Sequence, residues 1–205
     1  MKPYQVVVWG DSIAREGSSP WPDHCQSHLN VSCFTGREVK IVNIARCGLS
    51  GVMGQHLFDK EVKPADPDLV VIQFGFNDLR HDSSVGAHPI GTPDRFEEAM
   101  RSMIRNSKSI GADVLVLGIH DYTFGALRLY PGGLNGDQTT EIYRLRAKSA
   151  AAQEGADYIS MKDAAAAQGL SPRDITCDGC HLSETGKLIY TLTVSNYILN
   201  KLKEI

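Results

Sequence analysis

Five apolar runs rich in β-branched residues, alternating with helix-length stretches, constrain this 205-residue chain more than any other feature. The runs cover residues 4–9, 39–43, 69–74, 114–119 and 156–160. Runs such as Leu69-Val70-Val71-Ile72 do not alternate polar with apolar residues, so strands made from them are covered on both faces. Helical patterns lie between them at 22–34, 51–62, 139–154, 164–168 and 184–202. Another helix opens at Thr92-Pro93-Asp94 and turns Phe96, Met100, Met103, Ile104 and Ser107 to one face. Buried strands separated by helices imply a parallel sheet with helices on both sides. Such sheets hold their ligands beyond the carboxyl ends of the strands. That rule selects the loops that matter: Gly10-Asp11-Ser12, 45–51, 75–78 and His120-Asp121 all follow strands and meet at one sheet edge.

The length suits one domain over residues 1–205, and no stretch reads as a dividing linker. With 21 basic and 24 acidic residues the net charge is −3, which gives no reason to expect nucleic acid or an anionic membrane as a partner. No apolar run is long enough to span a bilayer. No signal-peptide pattern follows Met1-Lys2, so the cytoplasm is the default location, with secretion or the periplasm left open for a chain whose leader was removed. Five cysteines, Cys25, Cys33, Cys47, Cys177 and Cys180, make an odd number and favour a reduced compartment over a disulfide framework. Cys177-Asp178-Gly179-Cys180 has the spacing of a redox pair or half a zinc site. A structural zinc wants a second close pair of ligands, and His24, Cys25 and His28 lie far away in sequence. No helix shows an exposed apolar stripe that would set an oligomeric state.

Four segments could carry chemistry, and each has a plainer explanation. Ser12 sits on a tight turn after the first strand; a serine needs a base to become a nucleophile, and Ser or Asp there also suits a helix cap. Asn77, in Gly75-Phe76-Asn77-Asp78, could donate its side-chain amide to a developing oxyanion or serve as an ordinary turn residue. Gly48, in the loop after the second strand, could bring its N–H close to a substrate or belong to a simple loop. In Asp178-Gly179-Cys180-His181 a carboxylate three residues before a histidine can fold back onto the imidazole and fix its tautomer. The alternative is a loop histidine beside the last helix, for which Ser183 is the more natural cap. Gly48-Leu49-Ser50-Gly51 is not a G-x-S-x-G elbow, and Gly186-Lys187-Leu188 is not a phosphate-binding loop. His120 and Asp121 are adjacent on an extended chain and point apart, so they read as pocket lining. His81 and His88 read as surface residues or substrate contacts.

Together the four segments resemble the SGNH hydrolases, also called the GDSL esterase/lipase family. Gly10-Asp11-Ser12-Ile13, Gly48, Gly75-Phe76-Asn77-Asp78 and Asp178-Gly179-Cys180-His181-Leu182-Ser183 occur in the family's order across nearly the whole chain. The resemblance implies a flavodoxin-like three-layer α/β/α sandwich with a five-stranded parallel sheet. It implies a triad of Ser12, His181 and Asp178, and an oxyanion hole from the N–H groups of Ser12 and Gly48 and the Asn77 side chain. It calls for no metal or organic cofactor. Cys180 departs from the aliphatic residue common in the family, and Arg46, Cys47 and Trp9 are not required by its pattern. The loops 79–93 and 120–137 are polar and glycine-rich, with no long apolar lid, which favours a small ester with a short acyl group, such as acetyl on a carbohydrate. Asp11, His120 and Tyr122 are expected to contact it. An acyltransferase, a non-catalytic binding module, and a thiol-redox or zinc protein remain the rival readings.

Overall fold

A computed structural model describes residues 2–31, 37–80, 89–123 and 136–204. The five apolar runs form β1 (Tyr4–Gly10), β2 (Val39–Asn43), β3 (Leu69–Gln73), β4 (Asp113–Gly118) and β5 (Asp157–Ser160). All neighbours pair in parallel, in the order β2-β1-β3-β4-β5. The chain leaves β1 for β2 on one side and then crosses to β3 on the other. The order therefore reverses at β1, which opens a crevice between the ends of β1 and β3. The continuous apolar pattern has its cause here: Val6, Val7, Val8, Trp9, Leu69, Val70, Val71 and Ile72 have no exposed surface. Each such side chain contributes roughly 1.5–3 kcal/mol on burial. The edge strands β2 and β5 are only partly covered.

Helices cover both faces. They are α1 (Trp21–Val31), α2 (Gly51–Gly54), α3 (Pro93–Ser109), α4 (Gly136–Glu154), α5 (Met161–Ala166), α6 (Pro172–Ile175) and α7 (Glu184–Lys203). Helix α1 packs on α7 in one layer, and α3 packs on α4 in another. Thr92 caps α3 by accepting from the Arg95 N–H, and the expected inward face of Phe96, Met100, Met103, Ile104 and Ser107 is buried. None of the described helices is long and apolar enough to cross a membrane.

The helices differ from expectation chiefly in three places. The stretch 51–62 is not one helix: α2 gives way to a 3-10 turn (Gln55–Leu57), a π turn (Phe58–Val62) and another 3-10 turn (Lys63–Ala65). The changes of pitch bury both Phe58 and Val62, with Phe58 packed 6.3 Å from the Trp9 ring centroid. Trp9 is thus a core residue. The piece expected at 164–168 begins earlier, at Met161, because Ser160 at the end of β5 caps it directly through the Asp163 N–H. Helix α6 was not expected; Pro172 and a capping box between Ser171 and Asp174 form it.

Candidate active site

The site begins where β1 runs past β3. Gly10 pairs with Gln73, and a Cβ on Gly10 would stand 2.7 Å from the Gln73 backbone oxygen. Only glycine lets the strands stay this close at the crevice. The chain then enters a 3-10 turn (Ser12–Ala14) capped by Asp11, whose Oδ1 accepts from the Ile13 N–H at 3.0 Å and from Gln73 Nε2 at 3.2 Å. Asp11 is fully buried. The expectation that it touches substrate is therefore corrected: its side chain faces the sheet, opposite to Ser12. Burial pushes its carboxyl up to about 7, against the pull of the Ile13 and Gln73 hydrogen bonds.

Ser12 Oγ lies 3.1 Å from His181 Nε2. On the other side of the ring, His181 Nδ1 lies 2.7 Å from Asp178 Oδ2. Asp178 Oδ1 accepts the backbone N–H groups of Cys180 at 2.9 Å and His181 at 2.7 Å. Partial burial raises the Asp178 carboxyl, but the hydrogen bonds from His181 and Cys180 outweigh it and hold the group down at about 2. A carboxylate beside Nδ1 places the proton there, which leaves the Nε2 lone pair for Ser12. The loop closes on itself through Cys177 N–H to the His181 carbonyl at 2.9 Å and an isolated bridge between Thr176 and Leu182. Ser183, not His181, caps α7. Cys177 is exposed and Cys180 half-buried, so two free thiols flank Asp178.

One residue at the site was missed from the sequence. Glu16 Oε2 lies 2.6 Å from His181 Nε2, the same nitrogen that Ser12 approaches. A carboxylate oxygen only accepts, so Glu16 and Ser12 compete for the same nitrogen. The signal was available, since Glu16 follows Ser12 by one turn and its N–H donates to the Ser12 carbonyl at 2.7 Å.

Gly48 is the third residue of a turn closed by Leu49 N–H to the Arg46 carbonyl at 3.2 Å, with φ +77°. A Cβ there would meet nothing within 4 Å, so the backbone conformation, not space, requires glycine. Asn77 Nδ2 donates to the Leu49 carbonyl at 3.2 Å, which ties its loop to that of Gly48. Asp78 makes the same tie from below, accepting from the Gly51 N–H at 2.8 Å and the Val52 N–H at 3.1 Å. Burial raises its carboxyl to about 6, and those N–H donors lower it. Arg46 N–H completes the set by donating to the Gly10 carbonyl at 3.0 Å.

Ser12, Gly48, Asn77 and His181 thus line one cleft of about 460 Å³, with Phe76 and Tyr122 on its walls. A second cleft of about 420 Å³ meets it at Ser12 and His181 and runs past Gly17, Ser183 and Lys187. Tyr122 lines the cleft, whereas His120 does not. His120 is fully buried beneath the cleft, with one ring nitrogen 2.8 Å from the Tyr190 hydroxyl and the other 2.8 Å from the Cys180 carbonyl. The pocket-lining expectation for His120 is therefore corrected: the Tyr190 side of α7 closes over it. His81 and His88 lie outside the described residues, as do most of the loops 79–93 and 120–137.

A doubly wound parallel sheet with serine, histidine and aspartate joined at its switch point defines an ester hydrolase of flavodoxin-like architecture. The model of the GDSL-like lipase/acylhydrolase family matches residues 8–189, and the chain belongs to that family. It is a carboxylic ester hydrolase. Among solved structures it is similar to a lipase/acylhydrolase from Enterococcus faecalis, with 21% identity, 96% of each chain covered and a TM-score of 0.79. An acetyl xylan esterase from Geobacillus stearothermophilus shares 18% identity over 91% of this chain and 90% of its own, with a TM-score of 0.75. A further acetyl xylan esterase, AlAXEase, shares 18% identity over 93% of this chain and 98% of its own, also at a TM-score of 0.75. No curated protein matches the chain by sequence.

Proposed function

We propose that the chain is a serine esterase that removes short acyl groups, acetyl above all, from the hydroxyls of a carbohydrate-like alcohol. The observation that carries this reading is the continuous line Ser12 Oγ, His181 Nε2 at 3.1 Å, His181 Nδ1, Asp178 Oδ2 at 2.7 Å, in a cleft shared with Gly48 and Asn77. His181 takes the Ser12 proton as Oγ attacks the ester carbonyl carbon. The Ser12 and Gly48 N–H groups and the Asn77 amide, which carries a second hydrogen beyond the one given to Leu49, hold the oxyanion. Collapse breaks the bond to the alcohol oxygen, which leaves with the proton from His181. Water then gives its proton to His181, attacks the acyl-Ser12 carbonyl and releases the acid as the proton returns to Ser12. The steps need no metal or cofactor.

The oxyanion donors line the first cleft, so the acyl group belongs there. The alcohol, which must reach His181 Nε2, then exits toward the second cleft, where the Lys187 ammonium offers hydrogen-bond donors. The fold shared with two acetyl xylan esterases supports the same choice. Replacing Ser12 with alanine should cut hydrolysis of p-nitrophenyl acetate by about 10⁴-fold or more without unfolding the protein. A variant that keeps most of its activity overturns the acyl-serine reading. A panel of p-nitrophenyl esters should show kcat/KM falling as the acyl chain lengthens; a preference for long chains overturns the short-acyl assignment.

A further inference from the structure

His120 is fully buried, and neither of its ring nitrogens has a part in the chemistry above. Both are nonetheless committed. Nε2 lies 2.8 Å from the Cys180 carbonyl oxygen, and a carbonyl only accepts, so Nε2 carries the ring proton. Nδ1, bare in the neutral ring, accepts from the Tyr190 hydroxyl at 2.8 Å. Burial pushes His120 down to about 4 and Tyr190 well above the usual phenol range, so both stay neutral and the direction of each bond is fixed.

The peptide unit that joins Cys180 to His181 is consequently gripped on both edges. Its oxygen is held by His120 Nε2, and its N–H donates to Asp178 Oδ1 at 2.7 Å. The plane of that peptide sets the direction in which the His181 side chain leaves the backbone. Thr123 N–H adds a parallel clasp on the Gly179 carbonyl at 2.8 Å. On its other side the His120 ring lies 4.8 Å, centroid to centroid, from Phe76, the residue before Asn77. One buried ring thus touches both the loop that carries the base and the loop that carries the oxyanion donor.

We propose that His120, oriented by Tyr190, is a positioning residue that fixes His181 against Ser12 and Asp178. The proposal rests on the acyl-Ser12 reading. A bare apolar ring at position 120 would leave the Cys180 carbonyl without its donor and let the peptide plane rotate. Misplacement of a catalytic group by about 1 Å costs on the order of 10²-fold in rate, and loss of an outer partner typically costs 10–100-fold.

The test uses His120→Phe, His120→Gln and Tyr190→Phe with p-nitrophenyl acetate, together with the downfield proton resonance of the His181 Nδ1–H bonded to Asp178. His120→Phe should lower kcat by about 10–100-fold with KM changed less than about twofold, and should shift or broaden the resonance. Glutamine places an amide hydrogen where Nε2–H stood, so His120→Gln should recover most of the lost kcat. A general packing defect would not be repaired by a polar, flexible side chain. Should His120→Phe fail to fold, Tyr190→Phe, which deletes one oxygen, carries the test with an expected loss of about three- to tenfold in kcat. A folded His120→Phe or Tyr190→Phe protein with wild-type kcat and an unchanged resonance overturns the proposal. Failure of the acyl-Ser12 reading shows separately, as an active Ser12→Ala protein; the resonance then still decides whether His120 positions His181.

Discussion

Asp11→Asn tests the consequence of burying a carboxylic acid beneath a crevice. Asp11 has no exposed surface, and its Oδ2 and the neighbouring Gln73 Oε1 both lack a partner among the described residues. Burial raises its carboxyl from 3.8 to about 7. A folded-state value above the unfolded one means that the folded protein holds the proton more tightly. The resulting stability is fully present below the unfolded value of 3.8 and is lost as pH rises through 7. Between pH 5 and pH 8.5 the loss from this one group amounts to about 3 kcal/mol, taking ~1.4 kcal/mol per unit. Asparagine keeps the acceptor that caps Ile13 but never ionises. An unpaired Nδ2 would cost the variant about 1–3 kcal/mol at every pH. The variant should therefore be no more stable than wild type at pH 5, and should gain on it by about 3 kcal/mol at pH 8.5. Urea unfolding at both pH values measures the difference between the two proteins, which cancels the other titrating groups, Asp78 included. The same difference at both pH values would refute the claim that Asp11 is a buried acid.

Three further substitutions probe the site and its supports. Gly48→Ala forces a side chain onto φ +77°, which should cost about 1–2 kcal/mol in stability and, by moving the N–H, lower kcat for p-nitrophenyl acetate by about 10²-fold; wild-type kcat would remove Gly48 from the oxyanion hole. Gly186→Ala would place a Cβ 2.1 Å from the Ile175 carbonyl oxygen, so α6 and α7 must part; urea unfolding should show a loss of about 2–4 kcal/mol. Glu16→Ala frees Nε2 of His181 from a carboxylate at 2.6 Å. An exposed pair is worth ~0.2–1 kcal/mol, so with that competitor for Nε2 gone kcat/KM for p-nitrophenyl acetate should rise by up to about fivefold, and a tenfold fall would show instead that the pair is stronger in the transition state than at rest.

The strands were legible because burial on both faces leaves a mark in sequence that survives without context. Leu69 to Ile72 must be apolar at every position to sit in the middle of the sheet, so the run announces itself. Helix ends were legible where a cap stood beside a periodic run, as Thr92 stands before Phe96. The stretch 51–62 failed for the opposite reason: its apolar spacing suits a helix, but contact of Phe58 with Trp9 decides its pitch, and that contact spans distant parts of the chain. Helix α6 was too short to have a period at all, and only its capping box could have revealed it.

The same division governs the site. Ser12, Gly48 and Asn77 stand out in the sequence because each belongs to a short segment that follows a strand, and Asp178 and His181, on the loop between α6 and α7, because of their spacing. What lies beneath them could not be found, because sequence adjacency to a site says nothing of which way a side chain points. Asp11 stands beside Ser12 and faces the opposite way, as adjacent positions on an extended chain must, whereas His120 lies two residues from Tyr122 of the cleft and is nonetheless fully buried. Their partners lie 62 and 70 residues away, in Gln73 and Tyr190. Taken together, these inward groups tie the segments of the crevice to one another. Asp11 joins the end of β1 to that of β3, Asp78 joins the β3 loop to the start of α2, and His120 joins the end of β4 to the segment that carries His181. An apolar floor would bury the same area at lower cost, but it could not fix the direction of any loop, since dispersion contacts have none. Hydrogen bonds do, and that is the physical reason for a floor of desolvated acids and a neutral histidine: stability is given up beneath the cleft so that the groups above it hold their geometry.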